Sequence, residues 1–197
     1  MKKLLFFAIT INLLILSSCK TDSGSKDSSN AKNSTLPKTS KVNNKSSNLQ
    51  LIYNMGKMKP NEITKMRTTA KGILNLRWKE SNKKAWIIID KDLWEYEFIF
   101  SGREMSKPNQ MVGHWIDFDK DLTYTYGKYD KELGSGQYTL ETNQMTLLMI
   151  DDNENVKPME MEAKLQDATF IMAGSNIYKD NNFQAKLKRI SSRPIES

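Results

Sequence analysis

Apolar and polar residues alternate with a period of two over much of this chain, and this pattern constrains its fold more than any other. Aromatic residues occupy every second position from Trp94 to Phe100, and apolar residues alternate with polar ones over 159–165 and 183–188. Such alternation is typical of antiparallel strands that have one buried face and one wet face. Further strands are predicted over 74–78, 85–89, 112–118, 123–126, 136–141, 144–150 and 168–173.

Short polar segments with the composition of turns separate these predicted strands. They lie at 81–82, 90–92, 119–121, 134–136 (Gly-Ser-Gly), 142–143, 151–153 and 180–182. About ten short strands spaced by roughly 8–12 residues indicate an all-β fold. We expect an antiparallel barrel or half-barrel, since closure removes exposed strand edges.

One short helix is predicted before the strands, over 60–71. Pro60 and Asn61 provide a start signal, and apolar residues follow at helical spacing from Ile63. Gly72 is a typical residue for the position just after a helix. We therefore expect the helix to end there and the strands to begin.

The first nineteen residues have the form of a secretory signal. Two lysines precede a largely apolar run over 4–16, and Leu16-Ser17-Ser18-Cys19 follows. This arrangement resembles the lipobox of bacterial lipoproteins. The resemblance implies a thioether-linked diacylglycerol on Cys19, cleavage before Cys19 and N-acylation of the new terminus. Two or three buried acyl chains hold a protein firmly on a membrane.

Three regions are predicted: a signal peptide over 1–18, a lipidated and disordered tether over 19–50, and a β domain over 51–197. Ser, Asn, Lys and Thr fill 22 of the 31 positions from 20 to 50. Such a segment buries too little apolar surface to fold. In enterobacterial sorting rules, Asp directly after the lipidated Cys favours retention in the inner membrane. Lys20 occupies that position here, so the resemblance implies the outer membrane. It leaves open whether the domain lies on the periplasmic or the outer face of that membrane.

The positive charge of the chain belongs mainly to its first fifty residues. The whole chain carries a net charge of +7, whereas residues 51–197 carry 22 basic and 21 acidic residues. A nucleic-acid-binding domain needs a basic face of its own. The nearly neutral domain therefore predicts no nucleic-acid partner.

The residue inventory argues against catalysis and against a metal or cofactor site. One Cys and one His exclude an intrachain disulfide and a Cys/His metal cluster. No nucleophile elbow, phosphate-binding Gly loop or His-Glu-x-x-His motif is present. His114 is interpreted as a non-catalytic strand residue, and Asp151 to Glu154 as a solvated hairpin tip rather than a cation site. We expect a protein that is not an enzyme.

A second resemblance covers about residues 110–190. Gly113-His114-Trp115, Tyr124-x-Tyr126-Gly127 and Gly136-x-Tyr138-x-Leu140 are similar to motifs of bacterial lipocalin-like lipoproteins. The resemblance implies an up-and-down barrel or half-barrel that can hold an apolar cavity. It also implies an Arg of a late strand packed on Trp115, for which Arg189 is the candidate.

Two functions remain open for such a domain. The first, which we favour, is an envelope accessory that binds a protein partner; the second is a carrier of a small apolar ligand inside the barrel. A closed barrel with an empty apolar interior would favour the carrier, and an exposed aromatic face would favour the interaction module. The candidate ligand or interface residues are Trp94, Tyr96, Phe98, Trp115, Tyr124, Tyr126 and Tyr138.

Overall fold

The computed structural model describes residues 58–80, 89–91, 93–102, 104–107 and 109–196. The predicted signal peptide, Cys19 and the predicted tether lie outside the described residues. So do most of the strand predicted over 85–89 and the turn predicted at 81–82.

Eight antiparallel strands form a closed barrel, which confirms the predicted fold class. β1 (Leu93–Ser101) pairs with β9 (Phe183–Ile190) along its length and with β3 (His114–Phe118) at Trp94 and Glu95, so the sheet closes on itself. The two-residue strand β2 (Glu104–Met105) is added to the end of β1. The strands are β1 Leu93–Ser101, β2 Glu104–Met105, β3 His114–Phe118, β4 Thr123–Lys128, β5 Lys131–Glu141, β6 Thr146–Asp151, β7 Met159–Gln166, β8 Thr169–Gly174 and β9 Phe183–Ile190.

Helix α1 spans Pro60–Glu80 and therefore extends well beyond its predicted end. The strand predicted over 74–78 is wrong, because these residues form the last part of the helix. Ala70, Leu74 and Trp78 are four residues apart and lie on the face that packs against the barrel. Gly72 is exposed, with open space where a Cβ would be, so it does not interrupt the helix.

The helix lies on the outside of the barrel, against β5 and β6. Leu148 and Ile150 of β6 point outward into its apolar face. Leu147 and Met149 point inward into the barrel core. Strand β6 is thus buried on both faces, as its continuous apolar sequence allows. In the described part of the chain, no helix has the length and hydropathy needed to cross a membrane.

The predicted turn at Gly134-Ser135-Gly136 is wrong, because these residues lie inside β5. Tyr126 stands opposite Gly134, and Tyr124 opposite Gly136. A Cβ at Gly134 would lie 2.2 Å from the Tyr126 hydroxyl oxygen. The glycines therefore provide room for two tyrosine side chains.

A β-bulge in β1 changes which side chains enter the barrel. The register shifts between Tyr96 and Phe98. Before the shift Trp94 and Tyr96 point inward, and after it Ile99 does so, with 3% of its surface exposed. Phe98 therefore points outward, although the period-two pattern predicts the same face as for Trp94.

Candidate functional site

Six of the seven aromatic candidates lie in the protein interior, each at most 3% exposed. Five of them join the large core cluster inside the barrel, and Trp115 is buried outside that cluster. Phe98 is only half-buried. The five core members are Trp94, Tyr96, Tyr124, Tyr126 and Tyr138.

Aromatic rings fill the middle of the barrel by packing against one another. The Phe118 ring centroid lies 4.9 Å from that of Tyr138 and 6.1 Å from that of Phe170. The Trp94 centroid lies 5.2 Å from that of Phe170. Phe118, Tyr138 and Phe170 have no exposed surface, so no water-sized space touches these rings. Around these three rings the interior is packed as a solid core.

The polar atoms of several interior aromatics are bound to the protein itself. Tyr138 donates its hydroxyl to the Asp119 carbonyl at 3.0 Å. Trp94 Nε1 donates to the Ile89 carbonyl at 2.9 Å. Buried Tyr and Trp side chains usually require such partners. These contacts fix the rings in place and indicate a structural role.

Trp115 is held in the barrel wall by the end of the chain. Its Nε1 donates to the Tyr129 carbonyl at 2.7 Å, and Gly127 opposite leaves room for the ring. The Arg193 guanidinium lies 4.4 Å from the ring centroid. The assignment of Arg189 to this contact is wrong: Arg189 lies over Trp94 instead, at 5.3 Å. Ile190 ends β9, and the following segment places Arg193 on Trp115.

Phe98 belongs to a row of outward side chains that crosses four strands, which we call the lysine–aromatic row. It consists of Lys164 on β7, Ile171 on β8, Lys186 on β9 and Phe98 on β1. Each is the cross-strand neighbour of the next. Phe100 and its cross-strand neighbour Met105 lie beside this row and extend its apolar surface. Met105 is 64% exposed.

The lysine–aromatic row presents charge as well as apolar surface. Lys186 Nζ lies 2.6 Å from Glu97 Oε2, and the lysine side chain is still 39% exposed. Lys164 is exposed and has no acidic partner among the described residues. Helix α1 covers β5 and β6, and Arg193 covers Trp115 on β3. The row therefore lies on a part of the barrel wall that these two elements leave uncovered.

An acidic group lies at the barrel end next to the β3–β4 turn, where the predicted turn at 119–121 is confirmed. Burial, followed by the charge of Asp119, raises the pKa of Asp117. Burial, followed by the charges of Asp121 and Asp90, raises the pKa of Asp119. No set of three or more ligands with metal-binding geometry occurs within the described ranges.

A buried polar group joins helix α1 to the loop after β6. Arg67 is 7% exposed, and its guanidinium donates to the carbonyls of Asp151 at 2.7 Å, Val156 at 2.8 Å and Asn153 at 3.1 Å. The interpretation of 151–154 as a solvated tip is therefore wrong for Asp151, which is 3% exposed. Sequence analysis missed Arg67, although its position between Ile63 and Ala70 places it on the buried helix face.

Burial also changes the acidity of this group. It raises the pKa of Asp151 to about 6, although the Asn153 amide and the Tyr126 hydroxyl stabilise the carboxylate.

His114 is half-buried, and burial, followed by the charge of Lys128, lowers its pKa. The structure places it on β3 opposite Lys128.

Comparison with known proteins gives no relative: no family model, no curated protein and no solved structure matches this chain. Function has to be inferred from the residues of the chain itself. Its most distinctive surface is the lysine–aromatic row, and its interior is a packed aromatic core.

Proposed function

We propose that this protein is a lipoprotein anchored to the outer membrane through Cys19, and that its barrel is a non-catalytic accessory module that binds an envelope protein. The contact surface is the lysine–aromatic row. A diacylglycerol on Cys19 and the polar tether over 20–50 would hold the barrel near the membrane while leaving its wall accessible.

The position of Phe98 carries this proposal. The bulge after Tyr96 turns Phe98 out of the core, and the ring becomes a cross-strand neighbour of Lys186. Phe98 and Ile171 are half-buried, and partly exposed apolar surface bordered by charges is typical of a protein interface. Lys164, which has no acidic partner among the described residues, would favour a partner that has acidic residues around an apolar contact.

The carrier hypothesis receives less support from the same core. A ligand inside the barrel would have to displace rings such as Phe118 and Phe170, which have no exposed surface. Opening space for even one methyl group in a packed core costs about 1 kcal/mol. A ligand of ordinary size needs several hundred cubic ångströms. The packed interior therefore favours the interaction module.

Site-specific photo-crosslinking in cells tests the proposed surface. A photoreactive amino acid is placed at Phe98 or Ile171, with Thr125 on the outer face of β4 as the control. We expect the same protein adduct from the first two positions and none from the control. Charge reversal of Lys164 and Lys186 to Glu should abolish the adduct. Equal adducts at all three positions, or none at Phe98 and Ile171, would contradict the proposal.

A further inference from the structure

A buried lysine and a buried aspartate join two loops at one end of the barrel. Lys157 lies between β6 and β7, and Asp180 lies between β8 and β9. The Lys157 ammonium donates hydrogen bonds to Asp180 Oδ1 and, at 2.6 Å, to the Tyr178 carbonyl. Their side chains are only 6% and 5% exposed. The two functional groups are thus in contact and shielded from water.

The surroundings of Lys157 and Asp180 stabilise their two charges poorly. Asp180 Oδ2 is buried and has no hydrogen-bond partner among the residues that the structure describes. Burial lowers the pKa of Lys157 and raises the pKa of Asp180, against the attraction between them. In both groups burial disfavours the charged form. A buried ion pair gains stability only when further hydrogen bonds satisfy its remaining atoms, and Asp180 Oδ2 has none.

We propose that Lys157 and Asp180 condense to an intramolecular isopeptide bond that joins the two loops covalently. After the Lys157 ammonium passes one proton to the Asp180 carboxylate, the Nζ lone pair forms a bond to Cγ of the resulting carboxyl group. The Cγ–Oδ2 bond breaks, and Oδ2 leaves as water with the carboxyl proton and one amine proton. No oxidant or reductant is needed, and the remaining N–H of the amide can donate to the Tyr178 carbonyl.

The fold provides the main requirement for this reaction, which is a fixed encounter of the two groups. Well-oriented groups in one molecule react as if each were present at about 10⁵–10⁸ M. The product also removes two buried charges and the unpartnered oxygen. The chain has a single cysteine, so an intrachain disulfide cannot link these loops. The isopeptide bond would take that stabilising role.

Peptide mass spectrometry of the full-length protein, purified from its host and digested with trypsin, tests the linkage. Trypsin is expected to release peptides 132–164 and 180–186, because Pro158 protects the bond after Lys157. We expect one linked species whose mass is the sum of the two peptides minus one water. Fragmentation should place the link on Lys157 and Asp180. Recovery of the two peptides only in separate, unmodified form would overturn the proposal.

Two variants test the proposed condensation by a readout that does not depend on the stability of the protein. Lys157→Arg keeps the cation but has no amine of matching reach, so the linked species should disappear. Asp180→Asn should give the same linked peptide, since ammonia then leaves in place of water. The exposed ion pair of Lys186 and Glu97 is the matched control, and it should remain unlinked. A linked species that persists in Lys157→Arg would contradict the assignment.

Discussion

The Tyr126 hydroxyl donates a hydrogen bond to Asp151 Oδ2 at 3.0 Å, in the buried region where the barrel meets helix α1. The carbonyl of the same aspartate accepts a hydrogen bond from Arg67 at 2.7 Å. Asp151 therefore connects a core tyrosine of β4, the end of β6 and the helix. A change at this residue should affect barrel and helix together.

The stability of the domain should depend on pH through Asp151. Its folded-state pKa of about 6 lies above the ordinary value of 3.8. Between these values the unfolded chain releases the proton and the folded protein retains it. The free energy of unfolding therefore falls as pH rises through this window and stays lower at neutral pH, by about 3 kcal/mol for the full shift.

Chemical denaturation at pH 4 and pH 7.5 checks this expectation. Asp151→Asn should lose the contribution of this residue to the pH dependence and should unfold less readily than wild type at pH 7.5. Glu154→Gln, at an exposed position of the same loop, is the matched control and should follow wild type. A wild-type pH dependence retained in Asp151→Asn would show that another group titrates.

Arg67 should be essential for docking of the helix. Arg67→Ala leaves the carbonyls of Asp151, Asn153 and Val156 without their donor. We expect a loss of about 3 kcal/mol in the free energy of unfolding. Lys65→Ala, at an exposed position of the same helix, should change it by less than about 0.5 kcal/mol. Equal effects of the two substitutions in urea denaturation would contradict the buried role of Arg67.

Two glycines should respond in opposite directions to substitution by Ala. A Cβ at Gly72 meets nothing within 4 Å, so Gly72→Ala should stabilise the helix by about 0.5–1 kcal/mol. A Cβ at Gly136 would lie 2.4 Å from the Ile150 carbonyl oxygen. Gly136→Ala should therefore destabilise the barrel by about 1–3 kcal/mol. Thermal unfolding of both variants measures the difference, and a stabilised Gly136→Ala would refute this view of β5.

The proposed membrane anchor should depend on the sulfur atom of Cys19. Cys19→Ala removes the only thiol of the chain, and the protein should be released or mislocalised from the outer membrane because no acyl chains can be attached. Ser23→Ala in the tether is the control and should remain membrane-bound. Sedimentation of Cys19→Ala with the outer membrane, in density-gradient fractionation of cells, would mean that something other than lipid holds the protein there.

Most barrel strands could be predicted from sequence because apolar residues alternate with polar ones along them. Met159, Met161 and Ala163 alternate with polar residues and point into the core as expected. The pattern also predicts one face for Trp94 and Phe98, and this is wrong. A bulge adds one residue to a strand without a distinctive sequence, so the change of face becomes visible only in the pairing with β9.

Tertiary contacts explain the other differences between expectation and structure. Leu74, Leu76 and Trp78 fit a period of two, yet Leu74 and Trp78 also fit a helix that packs on β6. Packing on the barrel decides between the two periods. Gly134 and Gly136 have turn composition, but the rings of Tyr126 and Tyr124 occupy the space above them. A single sequence contains no direct record of such cross-strand neighbours.

Native mass spectrometry of the full-length protein, extracted with detergent from its own cell envelope, tests the central claim most directly. The claim is that the barrel interior is a packed core and that binding takes place on the lysine–aromatic row. We expect a protein without a bound small molecule, and a protein complex that dissociates when Phe98 is changed to Ser. A small molecule that copurifies with the protein, is lost on denaturation and is retained in Phe98→Ser would contradict the account.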